Sequence, residues 1–122
     1  MTHKSDLGQL GEDLACEYLV KKGYKIIDRN FRQKWGELDI ISKAPDRTLV
    51  FVEVKTMQEN PRGLRPEEQL TKAKLQKLKR TASLYAGHRQ ELIKDNKGWR
   101  IDLLALTISG ENCDIKHYEN IA

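Results

Sequence analysis

The sequence predicts a mixed α/β fold, because two segments with helical periodicity alternate with short segments that have the composition of strands. Leucines with a tyrosine or an alanine recur every three or four residues in 6–22 and in 71–87, which predicts two amphipathic helices. A short edge strand is expected over 114–118. Four further segments are rich in apolar and β-branched residues and are predicted to be strands: 24–28, 38–41, 48–54 and 99–108.

Length and composition limit the class of protein. A chain of 122 residues has room for one domain with a modest core, so we treat residues 1–122 as a single domain. Hydrophobic residues make up 39% and charged residues 33% of the chain, which is typical of a globular protein rather than a disordered one. The net charge of +4 favours a polyanionic partner such as nucleic acid.

The sequence carries no signal for a membrane, a zinc site or a disulfide framework. No apolar run approaches the roughly 18 residues that span a bilayer, and the first residues have no hydrophobic signal core, so we expect a cytoplasmic protein without membrane association. The cysteines, Cys16 and Cys113, are far apart, and the three histidines are scattered. We therefore assign none of these residues a role.

The first predicted helix carries one acid that can point inward. On a helical wheel of about 100° per residue, Asp13 and Glu17 fall in the polar arc, whereas Glu12 lies near Leu19 at the edge of the apolar arc. An ordinary glutamate at the boundary of the buried face is the more frequent explanation of such a position. The alternative is that Glu12 points toward the strands that follow.

The strongest functional signal is a predicted β-hairpin that holds two acids and a lysine. Its two strands flank a proline–aspartate pair, which favours a turn. If the loop is centred on Asp46, antiparallel pairing sets Asp39 opposite Glu53. Because side chains alternate along a strand, Glu53 and Lys55 share one face.

Paired acids in a hairpin need a positive charge nearby. Two ionised carboxylates about 5 Å apart repel by roughly 3 kcal/mol at an effective dielectric constant near 20. Mg²⁺ would offset this repulsion, since it typically binds one or two carboxylates and leaves its other positions to water and phosphate. Lys55 could then orient or deprotonate a water and neutralise charge on the phosphate. The alternative is a solvated lattice of ion pairs, but apolar residues on both faces of these strands favour the metal hypothesis.

Basic residues suggest where a polyanion would bind. Residues 29–35 combine three basic residues with two aromatic residues, which suits phosphate and base contacts, although decoration of a sheet edge explains them equally well. The second helix carries charges of nearly one sign, which suits a phosphate backbone. Residues 56–66 are predicted to form a flexible loop, either a lid or a plain connector. The candidate nucleic-acid contacts are Arg32, Lys34, Lys72, Lys74, Lys77 and Arg100.

The order of these elements, with an acid on the first helix, an aspartate on the second strand and Glu-x-Lys on the third, resembles the PD-(D/E)XK nuclease superfamily. More closely, the chain resembles the YraN family of bacterial proteins, which is similar to archaeal Holliday junction resolvases. The segments that carry the resemblance are GEDLACEYL in the first helix, Gly36-Glu37-Leu38-Asp39, Phe51-Val52-Glu53-Val54-Lys55, Thr71-Lys72-Ala73-Lys74 and Arg100-Ile101-Asp102.

The resemblance implies a restriction-endonuclease-like core, with a mixed central sheet flanked by helices in the order αβββαβ. It also implies that Asp39, Glu53 and the carbonyl of Val54 bind Mg²⁺ or Mn²⁺, that Lys55 is catalytic, and that Glu12 completes the site. The chemistry would be hydrolysis of a DNA phosphodiester by water. A preference for branched DNA and a homodimer stay open, and the alternative function is a DNA-binding protein that keeps the scaffold without catalysis.

Overall fold

In a computed structural model, the chain forms a five-stranded mixed sheet with one long helix against each face. The structure describes residues 3–94 and 97–122, with side chains from residue 6 onward. The predicted α/β class is confirmed. The helices and strands are α1 (His3–Lys21), β1 (Lys25–Gln33), β2 (Gly36–Lys43), β3 (Leu49–Gln58), α2 (Lys72–His88), β4 (Trp99–Ser109) and β5 (Asn112–Tyr118), with short 3₁₀ helices at Pro66–Gln69 and Gln90–Leu92.

The strands lie in the sheet in the same order as in the chain. Neighbouring strands are antiparallel except β3 and β4, which are parallel because α2 and its connections carry the chain back across the sheet. Residues 29–33 extend β1, although the sequence predicted a strand that ended at Asp28. An edge strand tolerates polar residues on its exposed side, so composition alone did not reveal this extension.

The hairpin of β2 and β3 has the predicted register. Ile40 pairs with Val52 and Ile41 with Phe51, so the loop is centred on Asp46. The turn is closed by two backbone donors: the N–H of Arg47 donates to the carbonyl of Ala44 at 2.8 Å, and the N–H of Thr48 donates to Oδ1 of Asp46 at 3.0 Å. A tight, internally bonded loop fixes which residues face each other across the hairpin.

The stripe predicted on α1, Leu7, Leu10, Leu14 and Tyr18, is confirmed only in part, since Leu14 and Tyr18 pack against the core at the edge of the buried face. Ala15 and Leu19 are fully buried against β2, β3 and β4, whereas Leu10 is exposed. Gly11 explains the difference, because a Cβ atom at this position would lie 1.8 Å from Oγ1 of Thr56 on β3. The helix therefore approaches the sheet through small residues, which hydrophobic periodicity does not detect.

The second core lies between α2 and the other face of the sheet. Thr71 is the N-cap of α2, and its side chain accepts a hydrogen bond from the N–H of Lys74. Of the apolar residues whose spacing predicted this helix, Leu78, Ala82 and Tyr85 are buried against the sheet and Leu75 is partly buried there. None of the helices in residues 3–94 and 97–122 combines the length and apolar character needed to cross a membrane.

The segment predicted as a flexible loop has a defined shape. Strand β3 extends through Gln58, and the side chain of Asn60 organises the residues that follow. Its Oδ1 accepts from the N–H of Leu64 at 3.0 Å, and its Nδ2 donates to the carbonyl oxygens of Gln58 and Leu64. The segment is therefore held by its own side-chain hydrogen bonds.

Candidate active site

The predicted acids lie at a fork where β2 and β3 stop pairing. The β2–β3 ladder ends at Ile40 and Val52, while β3 continues beside β4 through Gln58. Beyond this point the N–H of Val54 donates to Oδ2 of Asp39 at 2.9 Å rather than to a strand carbonyl. The aspartate side chain thus completes the backbone hydrogen bonding where the strands diverge.

Asp39 and Glu53 are adjacent in this fork, as the register predicted. The Glu53 side chain is only 17% exposed. Burial and the neighbouring negative charge of Asp39 raise the pKa of Glu53 to about 8, against the opposing effect of Lys55. In the absence of a cation, the two carboxyl groups therefore retain one proton between them up to mildly alkaline pH.

Lys55 lies on the same face of β3, with Nζ 3.4 Å from Oε2 of Glu53. Its side chain is 22% exposed, so the pair is partly buried rather than part of a solvated lattice on the sheet surface. The structure therefore brings together Asp39, Glu53 and Lys55. One ammonium group compensates only one of the two carboxylates.

Glu12 points inward from α1, as its place on the helical wheel allowed. Its side chain is 13% exposed, and its Oε1 is buried without a hydrogen-bond partner, since Nη2 of Arg29 lies 3.7 Å away. Burial and the charge of Asp39 raise the pKa of Glu12. Among the residues whose side chains are described, however, no three histidine, cysteine or acidic side chains are gathered closely enough to hold one ion. Glu12 faces the acid pair without closing a three-carboxylate cluster.

The oxygen atoms at the fork fit a hard divalent cation. Two carboxylates and the backbone carbonyl of Val54, the residue after Glu53, are a typical ligand set for Mg²⁺. Water and substrate would complete its coordination. The raised pKa of Glu53 indicates that negative charge at the fork is incompletely compensated, and Oε1 of Glu12 accepts no hydrogen bond although Arg29 lies 3.7 Å away. A cation bound by Asp39 and Glu53 would favour the ionised form of Glu53.

The acids open into a groove, here called the acid groove, whose walls are the β1–β2 turn and α2. The two walls meet closely, because a Cβ atom at Gly36 would lie 2.1 Å from Oγ1 of Thr81 on α2. Lysines from the β1–β2 turn and from α2 line this groove together with the acid pair and the exposed Glu37. The groove is lined by Asp39, Glu53, Lys34, Trp35, Lys74 and Lys77.

Of the candidate nucleic-acid contacts, Lys34, Lys74 and Lys77 line the acid groove. Arg32 is exposed near the end of β1, and its guanidinium pairs with the carboxylate of Glu37 at 3.2 Å. Lys72 is exposed at the start of α2 and lines a separate groove beside Tyr118. Of these candidates, the first three are therefore the ones that share a groove with Asp39 and Glu53.

The structure does not bring Arg100 to the acid groove. Its guanidinium donates to Oδ1 of Asp102 at 2.9 Å and to the hydroxyl of Tyr24 at 3.0 Å, on the α1 side of the sheet. Asp102 also bonds Nε2 of His117 at 2.8 Å and the N–H of Asn120 at 2.9 Å. Arg100 is thus part of an internal network, and we withdraw it as a contact to nucleic acid.

Sequence reasoning missed two residues that shape the site. Gly11 sets the approach of α1 and hence the position of Glu12, and its only sequence signal was a small residue next to that acid. Trp35 lines the acid groove, and its signal was the mixture of aromatic and basic residues in 29–35. Neither residue could be assigned a place before the packing of the helices was known.

Comparison with known proteins gives a consistent match. The family described as "Uncharacterised protein family UPF0102" matches residues 11–106. A UPF0102 protein of Syntrophomonas wolfei is 50% identical over 80 residues, which cover 66% of this chain and 68% of the relative. A UPF0102 protein of Caldicellulosiruptor saccharolyticus is 41% identical over 120 residues, covering 97% and 98%. One from Caldicellulosiruptor bescii is 40% identical over 106 residues, covering 87% and 86%.

Proposed function

The chain belongs to the UPF0102 (YraN) family, and from that premise we propose that it is a metal-dependent DNA endonuclease with a restriction-endonuclease-like core. The observation that carries the proposal is the acid pair, Asp39 and Glu53, partly buried in the fork beside Lys55. The lysines of the acid groove support DNA as the substrate. We expect this activity in the cytoplasm.

Asp39, Glu53 and the carbonyl of Val54 would hold the ion, with Glu12 facing it from α1. When bound, Mg²⁺ or Mn²⁺ supplies positive charge that polarises the phosphate and lowers the pKa of a water molecule. The N–H of Val54 holds Asp39 by a hydrogen bond, so this carboxylate is oriented before any ligand arrives. Such preorientation reduces the ordering that binding has to supply.

Lys55 supplies the second positive charge of the site. Its ammonium group lies 3.4 Å from Glu53, within a partly buried environment where a charge acts more strongly than in water. From this position it can donate hydrogen bonds to a phosphate oxygen or to the attacking water. It thereby stabilises the negative charge that develops during hydrolysis.

The acid groove accounts for the substrate class. Lys34 lies in the β1–β2 turn, and Lys74 and Lys77 lie on α2. Phosphates on both sides of the acid pair would therefore meet positive charge. Contacts to phosphate orient nucleic acid without reading its sequence. The described residues of one chain offer one such site, so cutting two strands at a branch in a single binding event would need two copies. We therefore include a homodimer acting on branched DNA in the proposal.

The test is cleavage of junction, flap and linear DNA by purified protein in Mg²⁺ or Mn²⁺, with chelator as the blank. We expect Asp39→Asn and Glu53→Gln to abolish cleavage, and Lys55→Met to reduce it by about 10²- to 10³-fold, as for loss of one transition-state donor. The matched control is Glu17→Gln, which removes an exposed carboxylate on α1 away from the acid groove. Cleavage that continues unchanged in Asp39→Asn would refute the proposal.

Two observations favour a second candidate, a DNA-binding protein without catalysis. Glu53 already has an ion-pair partner in Lys55, and no three-ligand cluster is gathered among the side chains from residue 6 onward that the structure describes. This candidate predicts DNA binding that weakens steeply with salt but no cleavage in any metal. Calorimetric titration with Mn²⁺ distinguishes the two functions, because binding that Glu53→Gln removes supports the nuclease.

A further inference from the structure

Trp35 is a large aromatic residue at the rim of the acid groove that the proposed chemistry does not use. It lies in the short turn between β1 and β2, and 38% of its surface is exposed. Its neighbours in the groove include both proposed carboxylate ligands, Asp39 and Glu53, and Lys77. An aromatic ring is therefore held beside the point where a phosphate would be cut.

The ring is fixed in position by other aromatic residues. Trp35 packs on Phe31 with ring centroids 5.6 Å apart, and Phe31 meets Tyr85 edge-on at 5.0 Å. Tyr85 in turn packs edge-on against Phe51 in the core at 5.6 Å. His88 flanks Trp35 at 6.2 Å, and its own ring is held by a hydrogen bond to the carbonyl of Leu84. A ring anchored in this way loses little freedom when a ligand stacks on it.

The packing of the β1–β2 turn against α2 does not explain why the ring of Trp35 is exposed. That contact is made by Gly36 against Thr81, where the backbone approaches too closely for any side chain at position 36. Trp35 lines the groove together with Lys34, Lys74 and Lys77, whose charges suit a phosphate chain. Aromatic rings in basic grooves stack nucleobases, and this contact is independent of sequence because every base has a π-face.

We propose that Trp35 stacks an unpaired base of DNA next to the phosphate at the acid pair, an inference that rests on the proposed function. Bases within a continuous duplex are stacked on each other, and a side chain reaches their faces only when a base is unpaired or extruded. The substrate class is therefore DNA with unpaired nucleotides beside the cut, such as a flap, a gap, a branch point or a single strand. A continuous duplex lacks the base that Trp35 would hold.

The test measures binding without cleavage, in chelator, with fluorescence from Trp35 alone. The chain has two tryptophans, and Trp99→Phe removes the other one, which packs edge-on against Phe51. We expect single-stranded oligothymidylate to quench Trp35 fluorescence and a blunt duplex of equal length to leave it unchanged. In the chain with Trp99 intact, Trp35→Leu should weaken single-strand binding by about 5- to 150-fold, the loss expected for one stacked base, while Trp35→Phe should retain most of it.

Thermal unfolding checks that Trp35→Leu is folded, and Leu84→Ala is the control for an exposed apolar residue on α2. Equal quenching by both DNAs, or equal affinity of Trp35→Leu and the parent protein for the single strand, would overturn the stacking role. In that case DNA binding and metal-dependent cleavage would still stand. Absence of binding to any DNA would overturn both proposals, and cleavage assays in Mn²⁺ report on the nuclease separately.

Discussion

Replacing Glu53 with glutamine should stabilise the metal-free protein at neutral pH, although Glu53 is a proposed metal ligand. In the folded chain, burial and the charge of Asp39 raise the pKa of Glu53 from 4.5 to about 8. A carboxyl group with a raised pKa keeps its proton in the folded state after the unfolded state has released it. The folding free energy is therefore unaffected at low pH and becomes less favourable as pH rises from about 4.5 to about 8.

The size of the pKa shift of Glu53 sets how much folding free energy is lost. At about 1.4 kcal/mol per pKa unit, the stability lost across this window is on the order of 5 kcal/mol, of which about 3 kcal/mol is lost by pH 7. Glutamine cannot ionise, and its amide group resembles the protonated carboxyl group in shape and as a donor to Asp39. The Glu53→Gln protein should therefore lack this dependence on pH.

Urea unfolding of both proteins in chelator, at steps between about pH 5 and about pH 8, measures the difference. The advantage of Glu53→Gln should grow by roughly 1 kcal/mol per pH unit, while Glu37→Gln, at an exposed acid, should follow the parent protein. Mn²⁺ should cancel most of the difference at pH 7, because an ion at about 100 times its dissociation constant stabilises the parent by about 3 kcal/mol. Parallel curves for Glu53→Gln and the parent across the whole range would refute the reasoning.

Three further predictions follow from the packing and charges. Gly11→Ala should destabilise the protein by about 1–3 kcal/mol in urea unfolding and reduce cleavage, because the new methyl group collides with Thr56, and adding Thr56→Ala should restore most of both. Lys74→Gln with Lys77→Gln should weaken DNA binding and lower the slope of log affinity against log salt by about 2. Asp102→Asn should destabilise the protein by about 3–5 kcal/mol near pH 7, because it leaves buried partners without their charge.

Asp102 also gives a pH dependence of the opposite sign. Burial acts to raise its pKa, but hydrogen bonds from His117, Arg100 and the N–H of Asn120 outweigh burial and hold the pKa below its usual value. Its stabilisation is thus complete above about pH 4 and is lost as pH falls further. Acid unfolding of the Asp102→Asn protein should show a shallower loss of stability in this range, and an unchanged acid transition would contradict the assignment.

Each of the remaining predictions has a control. The control for the lysine pair is Lys25→Gln with Lys116→Gln, which removes the same charge from the two edge strands, and an equal loss of salt dependence there would contradict a specific role for the groove. For Gly11, the control is Gly8→Ala, since a Cβ atom at Gly8 meets nothing within 4 Å. Destabilisation of both glycine variants by the same amount would refute the close approach.

The β2–β3 hairpin could be predicted from the sequence because the residues that define it lie close together in the chain. The turn residues and the two-residue alternation fix the register, so the placement of Asp39 opposite Glu53 followed from the position of Asp46. Helical geometry allowed the inward position of Glu12 but did not distinguish it from that of an ordinary boundary glutamate. The buried face of α1 did not, because Gly11 packs by its lack of a side chain, whereas periodicity detects only large apolar residues.

The interactions that the sequence did not predict depend on pairing between residues far apart in the chain. His117 lies opposite Leu104 in the β4–β5 ladder, and this register places its ring beside Asp102 on the same sheet. The same network removes Arg100 from the proposed DNA surface. Nothing in the local composition distinguishes an arginine that pairs inside the protein from one that binds phosphate, because both need the same side chain.

The charges at the fork constrain what the acid pair can be for. When ionised, Asp39, Glu53 and Glu12 bring three negative charges, and the ammonium of Lys55 is the close positive partner of Glu53. Arg29 lies 2.7 Å from Asp13 but 3.7 Å from Glu12, so it neutralises mainly the exposed acid. If all three acids were ionised, two negative charges would remain in a partly buried site, where unpaired charge is costly, and without a cation Glu53 keeps its proton instead. That excess equals the charge of one divalent cation, whereas neutral amides could fill the same space if the acids served only to pack the fork.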